Sequence, residues 1–125
     1  MRVLNVGVVT VILAASTAMA QSPPSGEFVF RSQCSPCHHV DARTKVGPGL
    51  AGVWNRRAGS IENFRYSLAM RDKSKNGLLW DEANLRAYLR SPREFIPYSS
   101  MAYAGLRDGA RLSALTDYLR DRSIP

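Results

Sequence analysis

Cys34-Ser35-Pro36-Cys37-His38 is the stretch on which the reading of this chain turns. Two thiols three residues apart on a helical turn point to the same side, and a histidine follows at once. C-x-x-C-H is the attachment pattern of haem c. Each thiol can bond one vinyl group on the same haem edge, which places the next imidazole, that of His38, beneath the ring and toward iron. Three other chemistries compete for such cysteines. A thioredoxin-like redox pair needs a βαβ setting, and no strands of that kind are visible. A structural zinc site wants four ligands, and Cys34, Cys37, His38 and His39 are crowded into one short stretch. A plain disulfide leaves His38 and the Gly/Pro-rich loops unexplained. One haem c, covalent through Cys34 and Cys37, is the expected cofactor.

Upstream, residues 1–20 read MRVLNVGVVTVILAASTAMA. A basic residue, Arg2, precedes an apolar run from Val6 to Ala15, and Ala18-Met19-Ala20 forms an A-x-A cleavage pattern. The expectation is a signal peptide over 1–20, cut after Ala20, and a single domain over 21–125 in the periplasm. The length and the interrupting Asn5 make an uncleaved membrane anchor the weaker reading. An oxidising periplasm suits a chain whose two cysteines are consumed by thioether bonds.

Downstream the periodicity is helical. Ser25 caps a first helix with Phe30 and Cys34 on one face. Asp81 opens a second, with Leu85, Tyr88 and Leu89 on one stripe, stopped by Ser91-Pro92. Asp108 opens a third, carrying Leu112, Leu115 and Leu119 beside Tyr118, and a shorter helix is expected around Glu62 to Met70. The long connections rich in Gly and Pro are unusual in a compact domain unless something binds them. A small all-α domain, three main helices and a short one around an embedded group, is the expected fold.

A second iron ligand must come from the opposite face of the ring, which His39, adjacent to His38, cannot reach. Past residue 20 only Met70 and Met101 remain as thioether donors. Met70 sits near a helical pattern, where core packing is the default. Met101 lies in an irregular stretch after Pro97, free to dip inward, and is the expected ligand. A thioether favours ferrous iron and raises the potential.

The chain has 125 residues, is 45% hydrophobic and 22% charged, and carries a net charge of +7, which excludes disorder and a polytopic membrane protein. A domain of this size buries only roughly 60–70% of the surface its unfolded chain exposes, so an embedded group supplies apolar volume the chain lacks. The basic balance suits acidic protein partners. Nucleic acid is excluded as a partner, because the arginines are dispersed and no nucleic-acid motif appears.

Together these residues resemble class I cytochrome c, from about Gly26 to Leu119. Gly26 and Phe30 look like the paired Gly and aromatic of that family's first helix, with Leu115 and Tyr118 matching their partners on the last. Val46-Gly47-Pro48-Gly49-Leu50 is similar to its T-G-P-N-L loop, and Ile96 to Gly105 resembles its I-P-G-T-K-M-x-F-x-G loop. The resemblance implies a cytochrome c-like fold and a His/Met-ligated haem. It implies that the Pro48 carbonyl accepts the imidazole N–H of His38, and that Arg56, Tyr66 and Trp80 donate to the haem propionates. Those three side chains are donors by chemistry, although Arg56 also reads as a solvated charge and Tyr66 and Trp80 as ordinary core. Tyr88 matches an aromatic near the methionine sulfur, and helix-face packing would equally account for it. Tyr98 and Ser99-Ser100 stand where the family has Gly and Thr-Lys, so a lysine used in docking is missing, and Met70 stands where many members have Asn.

The implied activity is single-electron transfer by a monomer, with no substrate turnover. The implied partners are acidic redox proteins such as a quinol–cytochrome c oxidoreductase, a terminal oxidase, a photosynthetic reaction centre or a periplasmic dehydrogenase. A dedicated dehydrogenase subunit and an open-site haem enzyme or gas-binding protein are the alternatives. Arg31, Arg43, Lys45 and Arg93 are the candidate docking charges.

Overall fold

A computed structural model describes residues 11–122, so the first ten residues of the expected signal peptide lie outside the described residues. Residues 11–25 have no regular structure, and Val11, Ile12 and Leu13 are exposed. The Ser25 hydroxyl accepts from Phe28 N at 3.2 Å and starts α1, Gly26–Val29, which runs on as a π-helical turn, Phe30–Cys34. The widened turn is defined by Ser35 N donating to Phe30 O at 2.9 Å, five residues back. It delivers Cys34 at the point where the cysteine motif begins, a common use of π geometry.

The remaining elements are α2 (Leu68–Lys75), α3 (Glu82–Arg90), α4 (Pro92–Phe95) and α5 (Gly109–Arg122). The side chains of Ser67, Asp81 and Asp108 accept from Met70 N, Asn84 N and Arg111 N at 3.1, 2.8 and 2.8 Å, each satisfying an orphan amide of a first turn. The all-α expectation is met: among the described residues the only β pairing is an isolated bridge between Arg57 and Leu79.

One expectation is corrected, and another is met with an addition. The short helix spans Leu68–Lys75, whereas residues 61–67 are turn and loop. Tyr66 accepts from Ile61 N at 3.2 Å and packs edge-on against Phe64 at 4.7 Å, which holds that stretch out of a helix until Ser67 caps one. Ser91-Pro92 ends α3 yet also begins α4. Extended Ser91 breaks the helix, and proline, lacking an N–H that the first turn cannot pair anyway, starts the next.

Packing centres on α5, which crosses α1 and lies against α3. Gly26 makes the first crossing: a Cβ there would stand 2.0 Å from Ala114 O and 2.6 Å from Tyr118 Cβ. Val29 and Leu115 are fully buried beside it, and Phe30 stacks at a tilt on Tyr118 with centroids 5.6 Å apart. Arg86 of α3 donates to Ser113 Oγ and Thr116 Oγ1 of α5, both at 3.2 Å, so the buried Thr116 hydroxyl has partners. Helix packing thus closes one end of the chain on the other and leaves the middle to wrap a cavity.

Candidate cofactor site

Inside the wrap is a cavity of about 300 Å³. Its lining brings together all eight residues singled out from the sequence: Cys34, Cys37, His38, Pro48, Arg56, Tyr66, Trp80 and Met101. Most of the rest is apolar, with Val46, Leu50, Val53, Leu85 and Leu89 among it. Met70 and Tyr88 also line it, so neither is merely core. His39 does not line it. Gln33, Phe64, Ser99 and Tyr103 face it without having been singled out. Tyr103 occupies the aromatic position of the I-P-G-T-K-M-x-F-x-G pattern and was legible there, while nothing in the sequence marks Gln33.

The π turn and the loop after it set the histidine. His38 N donates to Cys34 O at 2.8 Å and Gly47 N to Cys37 O at 2.8 Å, folding residues 39–47 back beneath the motif. His38 Nδ1 lies 2.8 Å from Pro48 O. A carbonyl only accepts, so Nδ1 carries the proton and Nε2 keeps a free lone pair in the neutral ring. Gly47 lies flush on the imidazole: a Cβ there would come within 2.3 Å of His38 Cε1. The ring is held by a hydrogen bond on one edge and by glycine backbone on its face.

Arg56 and Trp80 are held together by backbone. Trp80 N donates to Arg56 O at 2.8 Å, Asn55 N to Trp80 O at 2.9 Å and Ala58 N to Leu78 O at 2.8 Å. Arg56 is no solvated charge. Its Nη1 and Nη2 donate to Ala51 O and Gly49 O at 2.8 and 3.2 Å, while its buried Nε has no partner among the described residues. An unsatisfied cationic N–H beside an apolar cavity fits an anionic group such as a haem propionate. Trp80 stacks on Tyr88, centroids 4.9 Å apart.

The site is dry enough to move titrations. Burial pushes the Cys34 thiol up to about 11, with Cys37 adding to the shift. Burial also raises the Tyr88 phenol, a hydrogen bond with Ser99 partly opposing it. Arg56 is lowered by burial, with nearby Tyr66 opposing. Cys34 and Cys37 line the same cavity and are not joined to each other by a disulfide, as two attachment points require.

The four candidate docking charges are unequal. Arg31 pairs with Glu27 at 3.0 Å, and Arg43 grips both oxygens of Asp41, holding that exposed carboxyl down at about 2. Lys45 Nζ donates to Ser35 O at 2.9 Å, keeping its charge beside the motif, and Arg93 is exposed on α4.

These features define a class: a small helical domain wrapped around an apolar cavity that the attachment motif, a proton-fixed imidazole and a methionine all line. No protein-family model matches the chain. It is 40% identical over 123 residues to cytochrome c2 of Blastochloris viridis, covering 96% of this chain and 93% of that protein. To cytochrome c2 of Afifella marina it is 40% identical over 98 residues, 77% and 78% of the two chains. To cytochrome c of Gibberella zeae it is 37% identical over 98 residues, 77% and 90%. The chain belongs to the cytochrome c family. It carries a covalently bound haem c, and it transfers electrons between redox partners rather than turning over a substrate.

Covalent attachment has a direct check. The intact mass of the holoprotein should equal the polypeptide plus one haem, and acid–acetone should extract none. Haem lost to the solvent would overturn the thioether bonds.

Proposed function

We propose that this chain is a periplasmic single-electron carrier in which His38 and Met101 are the two axial ligands of the haem iron. Haem c supplies the ferric/ferrous couple, and the residues around it tune and shield that couple. Pro48 fixes the His38 tautomer and makes Nε2 a stronger donor. Met101 supplies the thioether that favours the ferrous state. Arg56, Tyr66 and Trp80 hold the propionates, and the apolar lining keeps water from the metal. The convergence of all these side chains on one cavity is the observation that carries this reading.

The proposed compartment rests on the N-terminal sequence. Arg2, the apolar run Val6 to Ala15 and the Ala18-Met19-Ala20 pattern support a signal peptide over 1–20, cut after Ala20, and a mature domain over 21–125. No described helix is long and apolar enough to cross a membrane. The partners are acidic redox proteins: a quinol–cytochrome c oxidoreductase, a terminal oxidase, a photosynthetic reaction centre or a periplasmic dehydrogenase.

Voltammetry of the holoprotein should give one reversible one-electron wave. The ferrous form should not take up carbon monoxide at neutral pH. Rapid carbon monoxide binding would mean an open sixth position and would reject the carrier reading.

Docking has its own test. Association with an authentic partner should slow as salt rises, because steering charges are screened. Lys45→Gln and Arg93→Gln should each lower the low-salt rate by about two- to fivefold. Arg31→Gln and Arg43→Gln should change it less, because Glu27 and Asp41 already offset those charges. Equal losses at all four positions would show that only net charge matters.

A further inference from the structure

The loop carrying Met101 is fastened in an unusual way. Ser99 N donates to Ile96 O at 3.2 Å and Leu106 N to Leu89 O at 2.9 Å. Between these points, among the described residues, no backbone–backbone hydrogen bond holds residues 100–105. One side-chain bond spans that gap: the Tyr103 hydroxyl donates to Gln33 Oε1. Gln33 lies in the π turn, one residue before Cys34, and Tyr103 lies two residues after Met101. Both side chains are half-buried and both line the cavity. The bond joins residues 70 apart in sequence, tying the attachment helix directly to the methionine loop.

We propose that Gln33 and Tyr103 form a clasp that sets how readily the Met101 loop lifts from the cavity, making them positioning residues for the distal ligand. This rests on Met101 being that ligand. The clasp suits the role because the two groups are complementary. The neutral Tyr103 phenol has a proton to donate, and the Gln33 amide oxygen can only accept. Their partial burial limits the water that would replace the bond if it opened. The loop has no ladder of its own, so losing one side-chain bond changes its opening equilibrium directly. The Tyr103 ring also packs against the core, and phenylalanine keeps that packing while removing the bond.

The test uses ferric holoprotein titrated with imidazole, which enters only where the methionine has left, and follows loss of the methionine–iron absorption band. Tyr103→Phe and Gln33→Ala should each tighten apparent imidazole binding about fivefold, the worth of one net hydrogen bond. The double variant should do no more than either single one, because both remove the same bond. Gln33→Glu keeps an acceptor oxygen and should stay within about twofold of the parent. Wild-type affinity in both single variants, or effects that multiply in the double, would overturn the clasp. Amide hydrogen exchange at residues 100–104 gives a second readout. It should speed up in both single variants, and unchanged exchange also overturns the clasp. If Met101→Ala itself leaves imidazole affinity unchanged, the ligand assignment fails and the clasp's role in positioning a ligand fails with it, whereas faster exchange in the single variants beside a responsive Met101→Ala supports both.

Discussion

With the proposed ligation, Met101→Ala should leave the haem attached and strip the iron of its sixth ligand. Cys34, Cys37 and His38 are untouched, so the intact mass shows one haem as before. The thioether that favours ferrous iron is gone, and the potential falls on the order of 100 mV, a modest part of the roughly 0.8 V that axial ligands span. The distal position opens, and the ferrous protein takes up carbon monoxide. Met70→Leu is the companion, since Met70 lines the same cavity and is the more buried of the two. That swap conserves volume and should cost under about 1.5 kcal/mol of stability, with ligation and potential unchanged. Met70 is held within α2, whereas Met101 belongs to an irregular strap that can bring its sulfur to the iron. Voltammetry and the methionine–iron absorption band read the pair. Loss of that band in Met70→Leu with its survival in Met101→Ala would reverse the assignment.

Gly26→Ala is expected to cost about 3 kcal/mol or more, at the upper end of what overpacking does. The added carbon would stand 2.0 Å from a backbone carbonyl of α5 and 2.6 Å from Tyr118 Cβ. Neither neighbour is the end of a flexible side chain, so the helices must part. Separation exposes Val29 and Leu115, both now at 0% accessibility. In a domain of this size the holoprotein's melting temperature should drop by roughly 10–20 °C. Gly109→Ala is the control, because a Cβ there meets nothing within 4 Å and alanine is the better helix former. It should be neutral or slightly stabilising. Melting of Gly26→Ala within a few degrees of the parent would mean that α1 and α5 cross less closely than described.

Three of the helices were legible because each carries two independent local signals. Ser25, Asp81 and Asp108 are caps readable as single residues, and each precedes an apolar stripe of helical period. The failures share a cause. Residues 61–67 have helix-compatible composition, and what replaces a helix there is the Tyr66 hydroxyl accepting from Ile61 N while Phe64 and Tyr66 line the cavity. α4 was missed because a proline that ends one helix is also favoured at the start of the next, and the turn of chain at Ser91 decides between them. Arg31 and Arg43 are offset by near neighbours in sequence, Glu27 four residues back on the same helical stretch and Asp41 two residues back in a turn.

Cofactor chemistry was readable from the residues alone. Thiol, thiol and imidazole at C-x-x-C-H spacing are a local arrangement, and no distant residue is needed to recognise it. The helical class and the short set of methionines able to complete the iron's coordination were readable there too. Tertiary structure alone decided which distant groups meet. Arg56 lies beside Trp80 because backbone bonds join residues 55–58 to 78–80, and Gln33 reaches Tyr103 across 70 residues. Such contacts depend on how loops close over a shared cavity, which is a property of the whole chain's packing. Local spacing carries no record of it, and that is why the residues lining the cavity were readable in advance and the bond between Gln33 and Tyr103 was not.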